Sequence, residues 1–189
     1  MKKIGKKGFT LIELLAVITI MGILMLVAIP AVSRTIENTR RDSFANVAKE
    51  YISTIRNAVI ADELKCGTES VSSTVSGNYY FKIDSTEQDT QDLMESGGKS
   101  SWGNADVKGY VSWEKTTTGD GGQKINYSIV LVDKANHGIK TETKEEDIVR
   151  TKVVVNTAAA APKTGYVAGS GITAVATSKT GATECKLNK

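Results

Sequence analysis

The sequence predicts an α+β fold in which a long N-terminal α-helix packs on an antiparallel β-sheet. Two patterns support this prediction. Near its N-terminus the chain has an apolar run that continues into apolar residues spaced three and four apart, which is the period of a helix. Farther along, apolar and polar residues alternate between segments rich in Gly, Asp and Asn, which is typical of strands and turns. With 189 residues, the chain has room for one globular domain besides the N-terminal segment.

The predicted helix begins with an apolar run from Phe9 to Ile29. As a helix, these 21 residues would span ~31 Å, close to the ~30 Å hydrocarbon thickness of a bilayer. Glu13 is the only charged residue in the run. A carboxylate inside a membrane is costly, and it is rarely found there without a partner and a function. The sequence therefore predicts a membrane helix in which Glu13 has a specific role.

The second half of the predicted helix is amphipathic. Because Pro30 lacks an N–H group, we expect a bend near residues 26–30 rather than a stop. Lys65 and then Gly67 follow the pattern, which predicts one helix from Thr10 to Lys65. Its buried face would consist of Val32, Ile36, Phe44, Val47, Ala48, Tyr51, Ile52, Ile55, Ala58 and Val59.

The rest of the chain is predicted to contain one short helix and four strands. Asp84-Ser85-Thr86-Glu87 fits a capping box, in which Asp84 and Glu87 cap a helix that ends near Ser96. Thr116–Gln123 is predicted to be a hairpin loop, and no topology is assigned to residues 156–189. The predicted strands are Tyr79–Ile83, Val107–Lys115, Ile125–Asp133 and Val149–Val155.

The basic residues give no indication of a nucleic-acid partner. Four of the 24 precede the apolar run, as Lys2, Lys3, Lys6 and Lys7. Without them the chain has 20 basic and 21 acidic residues, and no basic block occurs among them. The four lysines give a weak positive-inside bias, which favours a cytoplasmic N-terminus.

The N-terminal segment resembles that of type IV prepilins. In that family a short basic leader ends in Gly, the first mature residue is usually Phe, and a Glu stands at the fifth mature position. This chain has Lys6-Lys7-Gly8 followed by Phe9-Thr10-Leu11-Ile12-Glu13, and Pro30 stands where the family often has a proline. Beyond Ser33 the resemblance is one of arrangement and not of sequence.

The resemblance implies that a prepilin peptidase cuts between Gly8 and Phe9 and methylates the Phe9 amine. Residues 1–8 would then be a leader, residues 9–30 a membrane helix that later forms the filament core, and residues 31–189 the globular head, including the amphipathic half of the helix. The precursor would lie in the cytoplasmic membrane with its C-terminus outside. Alternatively, Gly8 is only a flexible joint before the helix.

Glu13 lies one helical turn from Phe9, on the same face. If cleavage creates an ammonium group on Phe9, Glu13 could pair with it within one subunit. Glu13 of a subunit already in a filament could also pair with Phe9 of the incoming subunit, which would set the axial offset between them. Alternatively, Glu13 is a carboxylate near the interface of an ordinary signal anchor.

Gly22 and Pro30 bracket a stretch of weak helix. The resemblance implies that this stretch can loosen when the subunit leaves the membrane, which would make the fibre extensible. Alternatively, both residues are simply tolerated, since Gly and Pro are commoner in membrane helices than in soluble ones.

Cys66 and Cys185 are the two cysteines of the chain. Disulfides persist outside the cell, and a bond here would tie the helix end to the C-terminal tail across a loop of about 120 residues. Many Gram-negative pilins instead have both cysteines in the C-terminal region. Two unpaired thiols are therefore the alternative.

No arrangement of residues indicates catalysis, a cofactor or a metal site. His137 is the single histidine and sits in a turn, which offers no transition-metal site. The acidic residues between positions 84 and 92 do not have the spacing of an EF-hand loop. Trp102 and Trp113 are interpreted as core or interface residues. The sequence therefore predicts that the protein is not an enzyme.

The predicted function is that of a structural subunit of an extracellular type IV pilus, polymerised through its N-terminal helix. The resemblance implies three partners: other pilins, a prepilin peptidase and an ATPase-driven assembly platform. Adhesion, aggregation or twitching motility would be its roles. One alternative is a pseudopilin of a type II secretion or DNA-uptake system, which has the same N-terminal signature. Another is a monomeric signal-anchored surface protein or enzyme, which would keep its leader and form no filaments.

Overall fold

A computed structural model describes residues 10–71, 76–94, 100–103, 107–155 and 179–188. Gly8, Phe9, Ser96 and most of the tail after residue 155 lie outside these ranges. The described residues form one long helix, a short helix and a seven-stranded sheet. The predicted α+β fold class, with its long N-terminal helix, is confirmed.

The N-terminal helix, α1, spans Leu11–Ile60 and continues through Pro30. The prediction that α1 reaches Lys65, with Gly67 as its stop, is wrong. Lys65 instead belongs to the first strand of the sheet, and Gly67 lies in the turn after it with a φ of 63°.

Asp62 ends α1 earlier than the sequence pattern indicates. Its φ of 58° places it in the left-handed region. The N–H of Glu63 donates to the carbonyl of Ala58 at 2.9 Å, and the N–H of Asp62 donates to that of Val59 at 3.4 Å. These two bonds form a Schellman motif, which satisfies the last carbonyls of the helix. The left-handed position usually holds glycine, so an aspartate there does not mark a helix end in the sequence.

The chain divides into two compact units, the first ending at Thr39 and the second beginning at Arg40. In the first unit, the large apolar side chains from Leu11 to Ile29 are all more than half exposed. Val32 and Ile36, which were expected in the buried face, are also about half exposed. In the second unit, α1 buries one face against the sheet. The buried residues are Phe44, Ala45, Ala48, Tyr51, Ile52, Ile55 and Ala58.

The sheet of the second unit is mixed rather than purely antiparallel. Its strands are β1 (Leu64–Cys66), β2 (Glu69–Ser70), β3 (Gly77–Asp84), β4 (Val107–Thr117), β5 (Gln123–Asp133), β6 (Gly138–Lys144) and β7 (Thr183–Leu187). Their order in the sheet is β2-β1-β7-β3-β4-β5-β6. Neighbouring strands are antiparallel except β3 and β7, which are parallel. The C-terminal strand therefore accounts for the departure from the predicted antiparallel sheet.

One predicted strand is absent, and β6 was not predicted. Val149–Val155 contains a turn of 3-10 helix at Arg150–Lys152 and a single bridge between Val154 and Gly138. The strand that pairs with β5 is β6, at the edge of the sheet. Much of β6 consists of exposed Lys, Thr and Glu side chains. Such an edge strand lacks the clear apolar alternation by which a sequence reveals a strand.

The predicted capping box at Asp84 and Glu87 is wrong. The short helix, α2, spans Gln88–Leu93, and its N-cap residue Glu87 makes no side-chain cap bond. Asp84 ends β3, where its carboxylate pairs with Lys108 of β4 at 3.0 Å. Glu87 pairs with Lys82 of β3. Lysines of the sheet thus bind both carboxylates that the local pattern assigned to the helix.

The core lies between α1 and the inner face of the sheet. Trp113 is buried there, with its ring centroid 6.1 Å from that of Tyr79 and 6.4 Å from that of Tyr127. Trp102 is partly buried and packs against the core between the rings of Phe44 and His137. The interpretation of both tryptophans as packing residues is confirmed.

The C-terminal strand completes the sheet. β7 lies between β1 and β3, and Cys185 of β7 is opposite Cys66 of β1. A disulfide joins the two residues, whose Cα atoms are 4.0 Å apart. Ahead of β7, the amino group of Lys179 donates to Glu142 of β6 at 2.7 Å, and Ser112 of β4 donates to the same carboxylate at 2.6 Å. A covalent bond and an ion pair therefore hold the chain end on the sheet.

We predict that replacing both cysteines by serine lowers the free energy of unfolding of the head. The bond spans 119 residues, and constraining a loop of this length stabilises a protein by up to about 4–5 kcal/mol. Denaturant unfolding of the detergent-solubilised chain, with and without the two substitutions, measures the difference. Labelling of two free thiols in the untreated wild-type protein would contradict the prediction, as would equal stability of the two proteins.

Glu142 is expected to stabilise the head in a pH-dependent manner. Burial raises the pKa of Glu142, but the hydrogen bonds from Lys179 and Ser112 outweigh it and lower the pKa below its usual value. A carboxyl group with a lowered pKa stabilises the fold above its unfolded pKa, about 4.3 for Glu, and this contribution is lost as the pH falls through the folded pKa. We predict that Glu142→Gln lowers Tm at pH 7 by about 1–4 °C and that the difference closes below about pH 4.

Thermal melts between pH 7 and pH 3 test this prediction. Glu114→Gln is the matched control, because Glu114 is an exposed glutamate on β4 of the same sheet. The control is expected to melt like the wild type at every pH. A Tm difference for Glu142→Gln that does not change with pH would contradict the assignment.

Candidate assembly site

The first turn of α1 is closed by a capping box of Thr10 and Glu13. The N–H and the hydroxyl of Thr10 both donate to Oε2 of Glu13, each at 2.8 Å. In return, the N–H of Glu13 donates to Oγ1 of Thr10 at 3.3 Å. This reciprocal pattern satisfies N–H groups that the start of a helix otherwise leaves without partners. The charged side chain of the apolar run is therefore part of the helix cap.

The Glu13 carboxylate stays accessible in this arrangement. Both bonds from Thr10 end on Oε2, and within residues 10–71 and the other described ranges no donor contacts Oε1. The side chain is exposed. Its negative charge is also favourable at this end of the helix, because the helix dipole is positive there. Among the described residues, the site thus has one occupied and one open carboxylate oxygen, which suits it to bind a cation.

An extended apolar surface surrounds the carboxylate. The large side chains from Leu11 to Ile29 are exposed on all sides of the helix. Monomeric soluble proteins rarely expose a contiguous patch of this extent. By length and composition, α1 is able to cross a membrane. Lipid or other apolar helices can therefore cover this surface.

The structure says less about the roles of the other residues of the predicted site. Gly22 and Pro30 both lie inside α1. Apart from its two chain neighbours and the backbone of its own helix, no atom of the described residues lies within 4 Å of the position that a Cβ on Gly22 would take. Nothing in the first unit therefore requires a glycine there, and the flexibility assigned to this stretch stays a prediction. Gly8 and Phe9 lie outside the described residues.

Thr10 is the site residue that the sequence analysis missed. Thr10-Leu11-Ile12-Glu13 has the Ser/Thr-x-x-Glu pattern of a capping box, so a signal was available. The pattern is easily missed, because an isolated charge in an apolar run points first to a cationic partner and not to a hydroxyl three residues earlier.

Ser100, Asp133 and His137 are the cluster in the head that most resembles catalytic machinery. Ser100 Oγ lies 2.6 Å and His137 Nδ1 lies 3.0 Å from the same oxygen of Asp133. A hydrolase would instead need the histidine bonded to the serine, so that it could remove the serine proton. This cluster ties a loop to the end of β5. Across the described ranges, no group of three His, Cys, Asp or Glu side chains is placed to hold a metal ion.

Comparisons with known proteins identify the family. The model of the prokaryotic N-terminal methylation motif matches residues 4–29. A fimbrial protein of Pseudomonas aeruginosa is 33% identical over 136 residues, which are 71% of this chain and 83% of the relative. The chain belongs to the type IV pilin family. A second fimbrial protein of Pseudomonas aeruginosa is 32% identical over the same shares of both chains. No solved structure matches this pilin.

Membership of the family establishes the broad function. This pilin is a structural fimbrial protein and not an enzyme. The family assembles into pilus filaments with other pilins. The apolar N-terminal helix fits a membrane-anchored precursor and a surface filament.

Proposed function

We propose that this pilin is a subunit of an extracellular type IV pilus, made as a membrane precursor and polymerised through α1. The observation that carries the proposal is an accessible carboxylate, Glu13, at the start of a helix whose apolar side chains are exposed on all sides. Lipid covers those side chains in the precursor, and the helices of neighbouring subunits cover them in the fibre. Both environments are apolar, so the transfer needs no rearrangement of the helix surface.

The precursor enters the cytoplasmic membrane with the lysine-rich leader inside and the head outside. The four leader lysines support this orientation through the positive-inside bias. A prepilin peptidase then removes residues 1–8 and methylates the amine of Phe9. An assembly platform driven by an ATPase extracts the mature subunit from the membrane. The match to the N-terminal methylation motif supports the cleavage and methylation steps.

Glu13 directs the docking of each subunit. Cleavage after Gly8 creates an ammonium group on Phe9, one helical turn before Glu13. Between neighbouring copies, the ammonium of one and the carboxylate of the other attract strongly because water is excluded from the helix bundle. The ion pair that forms fixes the axial offset between the two helices, because their apolar surfaces alone do not specify one. Gly22 and Pro30 would let the helix loosen in the fibre and make it extensible.

The head is proposed to form the outer surface of the pilus, where adhesion, aggregation or twitching motility takes place. Two relatives are named fimbrial proteins, which supports a pilus subunit over a pseudopilin. Immunogold labelling separates the two: long labelled fibres on the cell surface are expected, and labelling confined to the cell envelope would favour the pseudopilin.

The mature pilin is expected to begin at Phe9 and to carry one methyl group on its amine. Cleavage is what creates the cation that Glu13 needs, so filaments should contain no uncleaved chains. Intact-mass and N-terminal mass spectrometry of sheared fibres measure both features. A chain that still begins at Met1 in the fibre would reject the proposed processing.

Glu13→Val is expected to leave membrane insertion intact and to reduce fibre yield at least about tenfold, because the ion pair that orients the incoming subunit is lost. Quantitative immunoblots of the sheared and membrane fractions measure the two pools. Glu37→Val is the matched control, since Glu37 lies in α1 outside the apolar run. Normal fibre yield from Glu13→Val would show that the carboxylate has no part in assembly.

A further inference from the structure

We propose that the head binds an extended acidic segment of a partner protein, which adds as a short strand to an open stretch of β5 beside the end of β6. This binding is separate from pilus assembly and from the role of Glu13. Three features of the second unit support it: backbone groups without a strand partner, a cavity next to them, and two lysines on one face.

β5 extends beyond the strand that pairs with it at the edge of the sheet. β6 ends at Lys144, which lies opposite Ser128, and the chain then turns away as a 3-10 helix at Glu145–Asp147. β5 begins well before Ser128, at Gln123. On the β6 side, no described strand pairs with Gln123–Tyr127, which pair only with β4. The gap beside Gln123–Tyr127 is called the notch below.

The backbone of β5 directs hydrogen-bonding groups into the notch. In an antiparallel sheet, successive residues of a strand bond alternately to the strand on one side and to the strand on the other. The N–H of Asp133 donates to the carbonyl of His137, on the β6 side, at 2.8 Å. The pairing of β5 with β4 is unbroken from Asp133 back to Gln123. The alternation therefore places the N–H and C=O groups of Gln123 and Ile125 on the open side, where an added strand can bond to them.

The notch contains a cavity of about 430 Å³, lined by residues 124–127 of β5 and by residues 144–146. Ligand sites in proteins have volumes of ~300–1,000 Å³. On the side of the sheet that faces α1, the guanidinium of Arg56 lies 5.0 Å from the ring centroid of Tyr127 and pairs with Glu145. Ile125 is partly buried on the same side. A side chain of the added strand that points to this side would meet Ile125 and Tyr127, so an apolar residue suits it.

Two lysines lie on the opposite face of the notch. Side chains alternate between the two faces of a strand, so Lys124 lies on the face opposite Tyr127. Ser128 also lies on that face, and Lys144 shares it because it pairs with Ser128. Both lysines are exposed. Two amino groups therefore flank the path of an added strand, on its side away from α1.

The charges of the notch select an acidic partner. Among the described residues, no carboxylate contacts the amino group of Lys124 or Lys144. Glu145 is neutralised by Arg56, which leaves Glu146 as the other acid of the lining and gives the lining a net positive charge. Lysines on an edge deter pairing with strands that bring no negative charge. A segment that alternates acidic and apolar residues fits both faces, with main-chain bonds for affinity and alternate side chains for specificity.

The test uses the detergent-solubilised full chain and labelled synthetic peptides, with Kd measured by fluorescence polarisation. The first probe is acetyl-Val-Glu-Val-Glu-Val-amide. The second has the same composition in the order Val-Val-Val-Glu-Glu. Two further peptides have the alternating sequence with N-methyl groups, either on the valine amides or on the glutamate amides. Because alternate amides of a strand point to opposite sides, only one of these two sets faces β5.

The alternating peptide is expected to bind at least about tenfold more tightly than the block peptide, because only it forms the main-chain bonds and both side-chain contacts together. One methylated peptide should lose binding and the other should keep it. Lys124→Gln/Lys144→Gln should weaken binding by about three- to tenfold, the effect of two exposed ion pairs. Lys49→Gln/Lys152→Gln is the matched control, since it removes the same charge from exposed positions outside the notch, and it should bind like the wild type.

Four results would overturn the proposal: no saturable binding of the alternating peptide, equal affinity for the alternating and block peptides, the same outcome for both methylated peptides, or an equal effect of the two lysine pairs. The last two would show general attraction of charge and not strand addition. The methylated peptides are tested on the wild-type chain, so a folding defect cannot imitate the expected result. The proposed pilus function is judged separately, by the fibre yield of Glu13→Val.

Discussion

A carboxylate within an apolar helix must be given donors, and the N-terminal half of this pilin follows from that constraint. Lipid and apolar side chains supply none, so the chain provides them itself through the N–H and hydroxyl of Thr10. The bonds sit at the first turn, where a negative charge is also favoured by the helix dipole. One side chain therefore completes the helix, and among the described residues no donor contacts its Oε1. In the proposed fibre, the exposed apolar surface beyond it supplies the contact area between subunits, and the carboxylate sets their axial offset.

The head depends on a different constraint, which is that its sheet is completed by the end of the chain. Without β7, the hairpin of β1 and β2 would have no strand linking it to β3. The sheet cannot be finished until Thr183–Leu187 have arrived, and the bond between Cys66 and Cys185 then makes the connection covalent. In the proposed orientation, with the head outside the membrane, this order suits a fold that matures after translocation, where disulfides persist.

The sequence predictions succeeded for features that depend only on residues close together in the chain. The buried face of α1 from Phe44 to Ala58 was predicted because a helix repeats its faces every 3.6 residues. The helix end was missed because Asp62 adopts a conformation usually reserved for glycine. The capping pattern at Asp84 failed because α2 begins only at Gln88, while the Asp84 carboxylate accepts from Thr86 and pairs with Lys108 on the neighbouring strand. At Thr10 no such competitor contacts the carboxylate among the described residues, and the same pattern forms a real cap.

The amino-acid sequence by itself determined the membrane-length apolar helix, the acid within it and the family resemblance of the first thirty or so residues. These are properties of contiguous residues, which helix geometry and bilayer thickness convert directly into structure. Only the tertiary structure decided that β7 runs parallel to β3, that β6 forms the edge, and that Lys179 meets Glu142. The parallel pairing and the ion pair join segments far apart in the chain, and the energy of bringing them together comes from packing and hydrogen bonds that no local pattern encodes.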